Sequence, residues 1–266
     1  LNQAQVRLAE QMITRMACAW QGARCLDLGM AKLLQMPQGG SNILTEVQAQ
    51  PGEQLNLAHL AAQQHAYVVV TPASTPSGLG RFLQSHAFRA RRPSLVLGAA
   101  ADQGRDLSRP GIQVEEVREE ALDAWHRVFA AAFATPTQDP QYSEEASRQA
   151  FGRLGGQARW FLGLLAAQPV GCAVLYSWAG MGLLMAVGTI PSARRQGVAA
   201  TVVSRAFQAW AQQGGSWIFL ETNTDNVARK LYRQAGFRLA YRRTLYAADY
   251  ALTGHWPPAA QYGQKT

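Results

Sequence analysis

Cysteine is scarce in this chain, lysine is scarce for a basic protein, and long apolar runs are missing; each shortage removes a class of protein. Cys18, Cys25 and Cys172 are an odd number at wide spacing with no His cluster beside them, which argues against a disulfide framework or a zinc site and for a reducing compartment. Cys172 sits in an apolar run and reads as a buried small hydrophobe. No stretch approaches the roughly 20 consecutive apolar residues that a membrane-spanning helix needs. Gln3, Arg7, Glu10 and Arg15 interrupt the first apolar segment, so neither a span nor a secretory signal is expected, and the expected location is cytoplasmic. Acidic residues are the minority, 17 against 25 Lys and Arg, for a formal charge of +8. That excess suits nucleic acid, an anionic membrane or a small polyanion, and charge alone does not choose. Only Lys32, Lys230 and Lys265 are lysines, and the arginines are scattered without a basic helix or interleaved aromatics. Most of them read as solvated surface, which argues against a nucleic-acid partner.

What is present is ample: 266 residues at 48% hydrophobic content can build two ordinary domains or one large one. The apolar spacing predicts helices over Gln5–Trp20, Leu55–Gln64 and Leu79–Ser85, with extended segments at Leu26–Leu34, Asn42–Gln48, Tyr67–Thr71 and Ser94–Leu97. Ala101–Pro110 offers little that can be buried, so 104–110 is expected to be a linker between an accessory domain, 1–103, and a second domain, 111–250, with a tail at 251–266. Beyond it the order is strand Ile112–Val117, helix Glu119–Phe133, loop Thr135–Pro140, helix Ser143–Leu154, then strands Arg159–Leu165, Val170–Ser177 and Met181–Thr189 in an antiparallel meander. Helix Val198–Gln212, strand Trp217–Glu221, helix Asn226–Gln234 and strand Phe237–Tyr246 complete a mixed α/β (α+β) pattern.

The most informative residues are Arg194, Arg195, Gln196, Gly197, Val198, Ala199 and Ala200, which follow a hydrophobic strand and open an amphipathic helix. The first N–H groups of a helix have no intrahelical acceptor and carry the positive end of the dipole, so a pyrophosphate there satisfies both. Gly197 lets the backbone approach the phosphates, Ala199 keeps the next turn free of bulk, and Arg194 or Arg195 can add charge. An ordinary strand-to-helix turn also uses a glycine. A second motif follows: Asp225-Asn226-Val227-Ala228-Arg229-Lys230-Leu231-Tyr232-Arg233-Gln234-Ala235-Gly236-Phe237, a short helix with a polar cap and a glycine stop. Leu231 and Phe237 are simple core residues; Tyr232 is either packing or a chemically useful phenol.

Together these motifs resemble the GNAT superfamily of N-acetyltransferases, whose pyrophosphate loop [Q/R]-x-x-G-x-[G/A] is matched by Arg194, Gly197 and Ala199, and whose next motif is similar to N-x-x-A-x-x-L-Y-x-x-x-G-F. The resemblance implies the acyl-CoA N-acyltransferase fold, in which two central strands splay apart and the pantetheine arm of acetyl-CoA lies in the gap. It implies that the backbone of Val187, Gly188 and Thr189 bonds that arm, with the Val187 N–H polarising the thioester carbonyl and Gly188 marking the bulge of the splay. Residues 194–200 and Asn226 complete the expected cofactor set. Tyr232 stays protonated at neutral pH and can serve as the acid for the departing sulfur. Glu221, at the end of the preceding strand, is the candidate base through water; it is equally readable as an exposed strand-end carboxylate. No metal is expected. The implied activity is acetyl transfer to a primary amine of a small molecule or a protein, with an acceptor pocket lined by Thr135–Tyr142, Ser177-Trp178 and Tyr246. A non-catalytic acyl-CoA-binding regulator is the alternative.

The first half echoes the second. Tyr67–Val70, Leu79–Phe88 and Ser94–Leu97 repeat the order of Trp217–Glu221, Asn226–Phe237 and Thr244–Tyr246, with Leu83 opposite Tyr232 and Ala87 opposite Gly236. In place of the Arg-Gly loop stands Gln50-Pro51-Gly52-Glu53-Gln54, whose Pro lacks an N–H and whose Glu repels phosphate. The echo is either a degenerate second GNAT-like half that no longer binds cofactor or the likeness that any strand-helix-strand pair shows.

Overall fold

The computed structural model describes residues 1–37, 41–133 and 143–249. The expected loop Thr135–Pro140 and the tail lie outside the described residues. In chain order the elements are α1 (Gln3–Gln21), β1 (Arg24–Asp27), β2 (Lys32–Gln35), β3 (Asn42–Thr45), α2 (Gln54–Gln63), β4 (Ala66–Val70), α3 (Leu79–Ser85), β5 (Phe88–Ala90) and β6 (Ser94–Ala100). Then come β7 (Ile112–Glu116), α4 (Leu122–Phe133), α5 (Glu144–Leu154), β8 (Ala158–Leu165), β9 (Gln168–Trp178), β10 (Met181–Thr189), α6 (Val198–Gln212), β11 (Trp217–Asn223), α7 (Arg229–Gln234) and β12 (Arg238–Ala248).

Two compact units result, residues 1–22 with 94–242 and residues 23–93 with 243–266. This corrects the expected boundary at 103/111. α1 belongs with the later unit because its end packs into an aromatic cluster: Trp20 stacks on Trp160 at 5.2 Å and meets Trp125 edge-on at 6.2 Å. Arg153 caps the same end, donating from Nε to the Ala19 carbonyl at 2.6 Å and from Nη2 to that of Trp20 at 3.0 Å, a favourable place for a cation. β6 also changes sides, since it pairs antiparallel with β11 from Trp217↔Ala100 to Asn223↔Ser94. Residues 104–110 are no free linker. The Arg105 N–H donates to the Ala235 carbonyl, and those of Leu107 and Arg109 donate to the Ser204 and Thr201 hydroxyls of α6.

The first unit's sheet runs β6-β11-β10-β9-β8-β7, with the opening half of β12 beside β6. β8, β9 and β10 form the expected antiparallel meander and β7 adds antiparallel to β8 at its edge, whereas β10 and β11 are parallel because α6 crosses between them. The apolar stripe of α6, including Val198, Val202, Phe207 and Trp210, packs on Phe161, Leu175, Ile218 and Leu220. α6 lies very low over β8 and β9 because Gly163 and Gly171 are register partners beneath it. A Cβ on Gly163 would stand 2.8 Å from Val202 Cγ2, and one on Gly171 would overlap Val198 Cγ1. Side-chain-free strand surface therefore sets the height of the helix start.

The second unit repeats this plan in miniature. β1, β2 and β3 are an antiparallel meander, β3 and β4 are parallel across α2, and the end of β12 pairs antiparallel with β4 and with β5. Its core is Leu44, Leu57, Val68, Leu79, Leu83 and Phe88. The echo thus extends to topology, with one change: β6 lies beside β11 and the end of β12 beside β4, so each half contributes the flanking strand of the other half's sheet. Tyr246, expected at the acceptor pocket, belongs to this second unit, where it pairs with Val68 and Ala90 and leaves no room for a Cβ on Gly80.

Candidate cofactor site and active site

β10 ends over the register pair Thr189↔Gly171, and the chain turns through Pro191–Ala193 into the loop that opens α6. Arg195 has φ +66 and Gly197 φ +91, with Gln196 between them, so consecutive peptides turn their N–H groups to one side, as in an anion-binding nest. Among the described residues no protein acceptor meets the backbone N–H groups of 195–200; the first amide of α6 to find one is that of Thr201, bonded to the Gly197 carbonyl at 3.0 Å. Two donors of Arg194 are taken up by the backbone: its Nε donates to the Thr189 carbonyl at 3.2 Å and its Nη2 to that of Ala132 at 3.0 Å, tying the loop to β10 and to the end of α4. Gln196 turns back to the Ser192 carbonyl, while Arg195 is exposed.

β10 and β11 pair only from Met181↔Trp217 to Leu183↔Phe219. Beyond that β10 stays with β9 to Thr189 and β11 stays with β6 to Asn223, so the two central strands diverge. The bulge lies between Met185 and Gly188, and its strained residue is Ala186 at φ +51. Gly188, expected to mark the bulge, stands at its end, and it is small because a Cβ there would stand 2.8 Å from Ala132 Cβ and 3.1 Å from Cys172 Sγ. Cys172 is buried, and desolvation pushes its thiol up to about 12, which leaves it an inert core group. On either side of the divergence the buried hydroxyls of Thr189 and Thr222 have no hydrogen-bond partner among the described residues. Burial without a partner is costly, so both fit a ligand that brings polar groups into the gap. Val187 lies within the bulge and is half-buried.

Tyr232 follows on α7, 6% exposed, edge-on to Phe237 at 6.1 Å and packed in the α6-side core. Desolvation pushes its phenol up to about 12, so it is protonated at any physiological pH. Its hydroxyl makes no hydrogen bond among the described residues. Glu221 is exposed, accepts a hydrogen bond from the Ser94 hydroxyl, and stands in the diverging stretch of β11, two residues past Phe219. Strand alternation puts it on the face opposite Leu220, whereas Tyr232 packs on the Leu220 side. Asn226 is exposed and its Oδ1 accepts from the Ala228 N–H at 2.9 Å, shaping the entry to α7. Arg15 lies over the Trp178 ring at 4.8 Å, so α1 covers that expected acceptor residue. Residues 135–142 lie outside the described residues. His126 is a core polar group, bonded to the Ser147 hydroxyl at 3.0 Å, and desolvation lowers its pKa.

The equivalent places in the second unit are filled from within. The Gln50 N–H is accepted by Glu53 Oε2 at 2.7 Å and the Gly52 N–H by Gln54 Oε1 at 2.8 Å. After β3 and β4 separate, the chain is restitched: Gln48 bridges Thr75, whose N–H donates to the Val47 carbonyl and whose hydroxyl donates to that of Ala49. Leu83, which the sequence echo sets opposite Tyr232, is fully buried.

A diverging parallel pair with an amide nest at the next helix is the arrangement that the sequence resemblance implied. Residues 116–237 match the model of the Acetyltransferase (GNAT) family, and this stretch is a GNAT domain. The described residues form a mixed α/β fold with a large mixed sheet, and the structures it resembles are GNAT folds. The chain is similar to a GCN5-related N-acetyltransferase from Kribbella flavida, with 18% identity and a TM-score of 0.68 over 90% of this chain and 95% of that one. A GCN5-related N-acetyltransferase from Sphaerobacter thermophilus matches at 19% and 0.60, over 92% and 93%. A tandem GNAT protein from the clavulanic acid biosynthesis pathway matches at 12% and 0.62, over 82% and 78%. No protein of curated function matches this chain in sequence. No helix among the described residues is long and apolar enough to cross a membrane. Reasoning from sequence did not single out the unpartnered Thr222 hydroxyl or the carbonyl bonds of Arg194; a threonine at an apparent strand end and an arginine in a phosphate motif carry no mark of either.

Proposed function

We propose that this chain is an acetyl-CoA-dependent N-acetyltransferase acting on a primary amine of a small molecule or a protein. The observation that carries the reading is the row of amides at 195–200 without acceptors among the described residues, at the open end of diverging β10 and β11. Acetyl-CoA would supply the acyl group as an activated thioester. The amides of 195–200 would hold its diphosphate, and the β10 edge at Val187, Gly188 and Thr189, with the Thr189 and Thr222 hydroxyls, would hold its pantetheine arm. The Val187 N–H is the donor for the charge that develops on the carbonyl oxygen. Tyr232, kept protonated by its apolar surroundings, delivers a proton to the sulfur as it leaves. Glu221 accepts the amine's proton through water from the opposite face of the sheet.

A non-catalytic acyl-CoA sensor is the second reading, favoured by one observation: the Glu221 carboxylate is already engaged by Ser94. Calorimetry with acetyl-CoA on the full chain, followed by an amine panel with thiol release as readout, tests both. One site per chain is expected, because the second unit occupies its own amides and gap. Binding with turnover supports the enzyme, binding without turnover on any amine supports the sensor, and no binding removes both.

A further inference from the structure

The stretch between β6 and β7 approaches the nest in a way the family match, which begins at residue 116, does not cover. It is anchored along α6 step by step. Leu107 bonds Ser204 at 2.8 Å and Arg109 bonds Thr201 at 3.1 Å, two buried hydroxyls one helical turn apart. The chain therefore runs against the helix direction toward the N-terminal end of α6, and Arg109 arrives over Gly197. A Cβ on Gly197 would stand 2.5 Å from Arg109 Cγ and 3.6 Å from its Cδ, so the arginine stem lies across the glycine at the mouth of the nest. Arg109 is exposed, and its guanidinium has no carboxylate partner among the described residues. Arg194, the motif's own cation, is bound to two backbone carbonyls.

We infer that Arg109 is a cofactor-binding residue, its guanidinium pairing with the diphosphate held by the amides of 195–200, while two donors of Arg194 hold backbone carbonyls. The inference rests on the acetyl-CoA reading above. Glycine at 197 then serves two ends, the left-handed turn and the passage of the Arg109 stem. A guanidinium beside a diphosphate makes charge-assisted hydrogen bonds that an amide side chain cannot replace, and an exposed pair of this kind weakens as salt rises.

The experiment is calorimetry of coenzyme A and of 3′-dephospho-coenzyme A on the full chain and on Arg109→Gln and Arg109→Lys, each at low and moderate salt, with thermal midpoints to confirm folding. Arg109→Gln is expected to bind both ligands roughly tenfold more weakly at low salt, with a flatter salt dependence, while Arg109→Lys recovers part of the loss. Unchanged affinity and salt dependence in a folded Arg109→Gln overturns the assignment and leaves the acetyl-CoA reading standing. A loss confined to coenzyme A, with dephospho-coenzyme A unaffected, overturns the diphosphate as the partner. Failure of the unsubstituted chain to bind either ligand overturns the acetyl-CoA reading itself.

Discussion

Replacing Tyr232 by Phe separates its packing from its chemistry. The hydroxyl is the only group removed, and it makes no hydrogen bond among the described residues, so neutral-pH stability is expected to change by less than about 1 kcal/mol. Alkaline stability behaves differently. The folded phenol titrates at about 12, while in the unfolded chain a tyrosine titrates near 10. The folded state holds this proton more tightly, so its contribution is intact below pH 10 and is lost as pH rises from 10 toward 12. Linkage puts the loss at roughly 1 kcal/mol at pH 11 and between about 2 and 3 kcal/mol once both states are ionised. Tyr232→Phe lacks this term, so urea midpoints of the two proteins should nearly coincide at pH 8 and separate at pH 11, with the Phe variant the more stable. In the proposed reaction the same change removes the proton donor for sulfur, and turnover is expected to fall by about two to four orders of magnitude with coenzyme A affinity unchanged. Turnover equal to that of the unsubstituted chain would refute the acid role. Coincident alkaline curves would refute the desolvated phenol on which that role depends.

Two further perturbations test the scaffold beneath the nest. Gly171→Val places side-chain atoms where Val198 already lies; overpacking is expected to cost about 1–3 kcal/mol and to weaken coenzyme A binding by lifting the start of α6. Gly156→Ala, with nothing within 4 Å of its Cβ, is the neutral control, and equal stability of the two variants would show that α6 does not depend on the glycine seat. Arg194→Gln removes bonds to the Thr189 and Ala132 carbonyls, so a stability loss of about 1–2 kcal/mol is expected with less effect on coenzyme A affinity than Arg109→Gln. A large affinity loss with an unchanged unfolding midpoint contradicts the latch.

Local chemistry is legible in the amino-acid sequence. The bounds of α3, α6 and β10 follow from apolar period and flanking turn residues, because those forces act within a few residues of each other. The nest at Gly197 is legible for the same reason: a glycine between a strand and an amphipathic helix leaves few ways for the backbone to turn. Tyr232 can be located from sequence but not characterised, since its elevated pKa comes from neighbours such as Phe237 and from the α6-side core, which fold against it from elsewhere in the chain.

Only tertiary structure decided that β6 pairs with β11 and the end of β12 with β4, that α1 joins the later unit, and that the Arg109 stem lies across Gly197 while Arg194 bonds the Thr189 and Ala132 carbonyls. Strand partners are chosen by unpaired backbone edges, which are chemically alike in every apolar strand and leave no trace in side-chain pattern. An arginine's duty depends on which carbonyls come within its reach, and those of Thr189 and Ala132 meet Arg194 only after β10 and α4 have packed.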